Sequence, residues 1–160
     1  MITVVHEVSF ATKEEKAAYM QEAARQDSRT PEILAVAERF WGIQNDWARA
    51  RAILQFCQYC IRYIRDPGPG IEVLDSSDVG LWRGFGDCDL KARLCVALML
   101  ASGLYAEIEP IFRGDSFPHV RARIYLNDRW WSVDPSIVNS DIGQIPTRGI
   151  MTSYQEGEPR

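Results

Sequence analysis

Between residues 46 and 64 the apolar side chains Trp47, Ala50, Leu54, Cys57, Ile61 and Ile64 fall three and four positions apart. That spacing predicts one helix from Asp46 to about Ile64, with Asn45 as its cap. Thr12 followed by Glu15 is a capping-box pair, so a helix should run from about residue 13 to 26 with a solvated Lys- and Glu-bearing face. Thr30-Pro31 reads as an N-cap and a first helical residue, giving a helix from Pro31 to about Trp41 that ends near Gly42. From Cys88 to Ser102 the chain is apolar on nearly all sides, the pattern of a buried helix, with Gly103 as its stop.

The period then changes from helical to alternating. Strands are predicted at Tyr105–Phe112, His119–Leu126 and Arg129–Asp134, with Pro135 limiting the last. Val120, Ala122, Ile124 and Leu126 share one face of the second strand, and His119, Arg121, Arg123 and Tyr125 share the other. Asn127-Asp128 is a hairpin turn signal. Residues 2–10 alternate weakly, as a strand would, residues 71–74 read as extended or loop, and Asp78–Phe85 as a short helical turn. Asp66-Pro67-Gly68-Pro69-Gly70 must break regular structure. It divides a helical first part (1–60) from a mixed part (62–137), and a polar tail (139–160) is expected to wrap the surface. Neither part alone is large enough for a stable core, so the 160 residues form a single α+β domain.

Composition narrows the function classes. With 46% hydrophobic and 25% charged residues the chain is neither disordered nor coiled-coil. A net charge of −4 argues against a nucleic-acid partner. No apolar run approaches the roughly 18 residues of a membrane span. MITVVHEVSF has no basic start and no small-residue cleavage site. No signal peptide is expected, and the location predicted is the cytoplasm of the producing cell, with a virion-associated location as the alternative.

Any Cys–His chemistry must use His6 or His119, the two histidines. His6 lies near the terminus and reads as structural or exposed. His119 follows the loop Arg113–Pro118 and opens a strand, where a base is held by a sheet yet reachable from a cleft. Cys57 and Cys60 form a C-x-x-C that suggests a redox pair or half a zinc site. They lie mid-helix with no second C-x-x-C, and read as core packing, as does Cys95. Cys88 differs. It stands in Gly84-Phe85-Gly86-Asp87-Cys88-Asp89 where the buried helix begins, and a helix start stabilises a thiolate and can receive an oxyanion. The competing reading is an Asp N-cap beside an incidental Cys.

Gly86-Asp87-Cys88-Asp89-Leu90-Lys91-Ala92 resembles the nucleophile motif of the transglutaminase-like superfamily, cysteine enzymes with a papain-like core. Phe117-Pro118-His119-Val120 resembles its His strand, and Arg129–Ser136 its Trp-x-x-x-Asp-Pro element. The three occur in the family's order over residues 62–137. Tyr63-Ile64-Arg65-Asp66-Pro67 is similar to the approach segment of the short transglutaminase-like cysteine peptidases of bacteria and tailed phages. Two positions depart: Arg121 stands where many relatives have an aromatic, and Leu90 where a second Asp is common.

The resemblance implies a nucleophile on the N-terminus of a buried helix packed on an antiparallel sheet. It implies Cys88 as nucleophile, His119 as base and Asp134 as orienter, with no metal and no organic cofactor. The Cys88 N–H is the expected first oxyanion donor. Trp82 is a candidate second donor, or else a core or cleft-wall aromatic. The activity implied is acyl transfer from a protein or peptide amide through a thioester, ending in hydrolysis or in transamidation. The alternative is a structural or adaptor component of a phage particle or other assembly that uses the same fold for binding.

Overall fold

Thr12 accepts a hydrogen bond from the Glu15 N–H at 3.1 Å and so opens helix α1 (Lys13–Asp27) in the computed structural model, which describes residues 10, 12–65, 74–113, 116–147 and 150–153. Helix α2 (Pro31–Ala37) passes into a 3-10 turn at Glu38–Phe40. Asn45 caps α3 (Asp46–Cys60) by accepting from the Ala48 N–H at 2.9 Å. Thr30 also stands at an N-cap position, but its hydroxyl donates backwards to the Asp27 carbonyl at 2.8 Å instead of capping α2. Helix α4 (Ser77–Arg83) ends at Gly84, whose φ of 75° is a left-handed stop. Helix α5 (Cys88–Ala101) follows, and Gly103 just beyond it is also left-handed, with φ 77°.

Ten of the 14 residues of α5 are buried, which makes it the axis of the core. Helices α1 to α4 pack around it, and strands β3 (Tyr105–Arg113) and β4 (Ser116–Leu126) cover its other side. With β5 (Arg129–Val133) they form an antiparallel sheet in the order β3-β4-β5, in which Ala122 pairs with both Ile108 and Val133. Val120, Ala122, Ile124 and Leu126 are buried, as their alternation predicts. Asn127 and Asp128 have φ of 52° and 64°, the double left-handed turn that matches the twist of a hairpin.

Three polar clamps set the helices on α5. Asp27 of α1 receives Arg93 of α5 through Nε at 2.6 Å and Nη2 at 3.0 Å, and also accepts from the Ser77 hydroxyl of α4 at 2.6 Å. Lys16 of α1, buried rather than solvated, meets Asp89 at 3.2 Å. Lys91, 1% exposed, donates to the Ile61 carbonyl at 2.5 Å and so closes the end of α3. Burial lowers its pKa.

That closure corrects one sequence expectation. The helical period continues to Ile64, yet α3 stops at Cys60 and Ile61 is extended, with φ −113° and ψ 108°. Residues 62 and 63 instead form β1 (Arg62–Tyr63), paired parallel with β2 (Phe85–Gly86). The Arg62 N–H donates to Gly84 O at 2.8 Å and the Ile64 N–H to Gly86 O at 2.9 Å. Gly86 packs directly on α5 and has no room for a side chain, because a Cβ there would lie 2.0 Å from Leu90 Cδ2. The loop expected at 113–118 is shorter than read: β3 continues to Arg113 and β4 starts at Ser116, with a register irregularity after Ile111.

The tail also contributes more than a surface wrap. Ser140 and Ile142 are buried, the Gly143 N–H donates to Ser132 O at 2.8 Å, and β6 (Gln144–Thr147) pairs antiparallel with β7 (Ile150–Ser153). Cys60 is exposed, not core, whereas Cys57 and Cys95 are buried as expected. The strand expected at 2–10, His6 within it, the breaker at 66–70 and most of the extended segment at 71–74 lie outside the described residues. Among the described residues no helix is long and apolar enough to cross a membrane.

Candidate active site

Cys88 is the first residue of α5 because Asp87 caps the helix there, its carboxylate accepting from the Leu90 N–H at 3.1 Å. The N–H groups of that first turn have no partner within the helix and carry the positive end of its dipole. The Cys88 thiol lies 3.9 Å from Asp89 Oδ1, while Asp89 Oδ2 is held by Lys16.

His119 and Asp134 come from the β4–β5 hairpin. Asp134 directly follows Val133, the partner of Ala122, so it emerges beside the His119 end of β4. His119 Nε2 lies 2.7 Å from Asp134 Oδ2, and the Asp134 side chain is only 4% exposed. The other carboxylate oxygen, Oδ1, accepts from the Ser136 N–H at 2.9 Å, so both oxygens are fixed. The Cys88 side chain is close enough to His119 to act on its titration as well. Asp134 first, and Cys88 second, push the His119 pKa up to about 10 against the lowering effect of burial. The imidazolium is therefore the form held at neutral pH.

The structure thus brings Cys88, His119 and Asp134 together. Trp82, on α4, is 79% exposed, which removes its reading as a core aromatic. Cys57 is remote in character: burial first, then its hydrogen bond to Cys95, keeps it a neutral thiol. Among the described residues no cluster of three or more His, Cys, Asp or Glu could hold a metal ion.

Two side chains near the site were given no role by the sequence pattern. Tyr63 on β1, 41% exposed, is close enough to Cys88 for the sulfur to raise its phenol pKa, after partial burial as the larger cause, while Arg65 lowers it. Gln58 of α3 directs its amide at the carbonyls of Asp134 (3.2 Å), Ile137 (2.8 Å) and Ser140 (2.8 Å). The Tyr-x-x-Asp-Pro string marked Tyr63, but the continuing helical period hid its place beside the nucleophile.

No protein-family model and no curated protein matches the chain. Among solved structures it is similar to a candidate cysteine protease from Cytophaga hutchinsonii, with a TM-score of 0.58 and 18% identity over 76% of this chain and 42% of the other. It is also similar to the periplasmic domain of TgpA from Pseudomonas aeruginosa. One TgpA structure gives a TM-score of 0.54 and 18% identity over 72% of this chain and 47% of the other. The ethylmercury-bound form gives 0.50 and 17% over 72% and 49%. The fold is that of the transglutaminase-like cysteine proteases.

The chain spans less than half the length of each of these structures. The helix that starts at Cys88 packs directly against β4 of the hairpin that carries His119 and Asp134, and the small β1–β2 pair flanks the start of that helix.

Proposed function

We propose that the protein is a thiol-dependent acyl-transfer enzyme acting on amide bonds, with Cys88 as nucleophile. The observation that carries this reading is His119, bonded to Asp134 and lying close to Cys88 at a helix start. A thiolate at Cys88 attacks the amide carbonyl carbon and forms a tetrahedral oxyanion. The C–N bond then breaks as the His119 imidazolium gives its proton to the leaving amine, which leaves a thioester on Cys88. Neutral His119 next takes a proton from water or from an acceptor amine, whose attack releases the acyl group and restores the thiolate. Asp134 keeps the ring oriented and its charge compensated throughout. Sequence reasoning cast His119 as the base that deprotonates the thiol. Its raised pKa supports an imidazolium at rest, the form that gives its proton to the leaving amine.

Hydrolysis is the favoured outcome, since a small domain has little with which to exclude water. The likeness of residues 62–137 to the short bacterial and phage peptidases supports a protein or peptide donor. The test is competitive alkylation at neutral pH with peptide mass analysis. Cys88 should react with iodoacetamide well before Cys60, although Cys60 is the exposed thiol. Equal or slower labelling of Cys88 would reject the nucleophile and leave the fold as a binding module, such as an assembly component.

A further inference from the structure

Every tetrahedral intermediate at Cys88 needs donors for its oxyanion, and one backbone N–H leaves the charge half-satisfied in a partly buried site. The β1–β2 pair lies beside that point. It is only two residues long on each strand, buries little, and places Tyr63 opposite Gly86, two positions before Cys88. Two backbone bonds fix this register. We propose that the Tyr63 hydroxyl is the second oxyanion donor of the site, which rests on the reading of Cys88 as an acyl-transfer nucleophile.

Two observations beyond the register support it. The Cys88 sulfur is close enough to the phenol to act on its titration. Partial burial first, and the nearby sulfur second, raise the phenol pKa, so the hydroxyl keeps its proton at neutral pH. Trp82, the other side-chain candidate, is 79% exposed against 41% for Tyr63.

Two probes of one sulfur separate this role from a general one. p-Nitrophenyl acetate is attacked by the thiolate at its carbonyl carbon. The ester C–O bond breaks, p-nitrophenolate leaves, and an acetyl thioester forms through an oxyanion. Iodoacetamide is displaced at a saturated carbon, with iodide leaving and no oxyanion formed. Tyr63→Phe should slow the p-nitrophenolate burst by on the order of 100-fold and leave the alkylation rate of Cys88 unchanged, with both adducts located on Cys88 by peptide mass. A burst as fast as wild type would overturn the assignment of Tyr63. An equal slowing of both probes would also overturn it, since that marks a structural or thiolate-stabilising role. If wild-type Cys88 reacts selectively with neither probe, the acyl-transfer reading itself fails, a result distinct from failure of Tyr63 alone.

Discussion

The side-chain amide of Gln58, in the last turn of the third helix, donates to the backbone carbonyl of Asp134 at 3.2 Å. The same amide spans the Ile137 and Ser140 carbonyls, so the turn that carries Asp134 is fastened to a helix it does not otherwise follow in sequence. Gln58→Leu would keep the volume and orphan these buried acceptors. It should cost roughly 1–3 kcal/mol in urea unfolding and slow Cys88 alkylation as Asp134 loses its placement. Unchanged stability would mean that water replaces the amide.

Asp134→Asn should preserve the fold and remove the first cause of the raised His119 pKa. The ring should then titrate well below about 10 by NMR, and any amide turnover should fall by orders of magnitude. An Asn variant with an unmoved His119 titration would show that Cys88 alone sustains the imidazolium.

The raised His119 pKa also has a stability signature. A group charged more readily in the folded state than in the unfolded one stabilises folding fully below its unfolded pKa, and loses that contribution as pH rises through its folded value. For His119 the window runs from 6.5 to about 10. The stability difference between wild type and His119→Gln should be largest below the window and shrink across it. Urea midpoints at several pH values check this, and a difference that grows with pH would contradict the assignment.

Lys16 and Asp89 form a buried pair whose side chains are 8% and 9% exposed. Lys16→Met alone strands a carboxylate beside the nucleophile and should cost roughly 3–5 kcal/mol. Adding Asp89→Leu should restore part of that stability, because the uncompensated charge is gone. A double-mutant cycle by chemical denaturation reads the coupling, and simple additivity would show that the two groups do not interact.

Gly86→Ala places a methyl 2.0 Å from Leu90 Cδ2. It should destabilise by about 1–3 kcal/mol through overpacking, and it should shift Tyr63 away from Cys88. Leu90→Ala in the same chain opens the space and should recover the p-nitrophenolate burst of Cys88, slowed by the loss of Tyr63, even where stability stays low.

Much of the site was legible because its parts are local in sequence. A Gly-Asp-Cys run at the start of an apolar segment announces a capped helix with a thiol at its mouth. Alternation on either side of Asn127-Asp128 announces the hairpin that aligns His119 with Asp134. The missed parts depend on distant partners. Periodicity carried α3 through Ile61 and Ile64, since nothing local reports that Lys91 will close the helix or that Gly84 and Gly86 will pair with residues 62–64. Lys16 read as solvated because its partner, Asp89, is 73 positions away. Ile142 and Ser140 sat in a polar stretch and gave no sign of entering the core.

His119 and Asp134 are 15 positions apart on a tight hairpin, whereas the nucleophile belongs to a helix made before it. A hairpin of this kind can close in microseconds on its own, but it meets Cys88 only when the sheet settles on α5. On the acyl-transfer reading proposed above, the pairing that would activate Cys88 therefore forms only when the hairpin docks on α5, and an unfolded copy carries four ordinary cysteines.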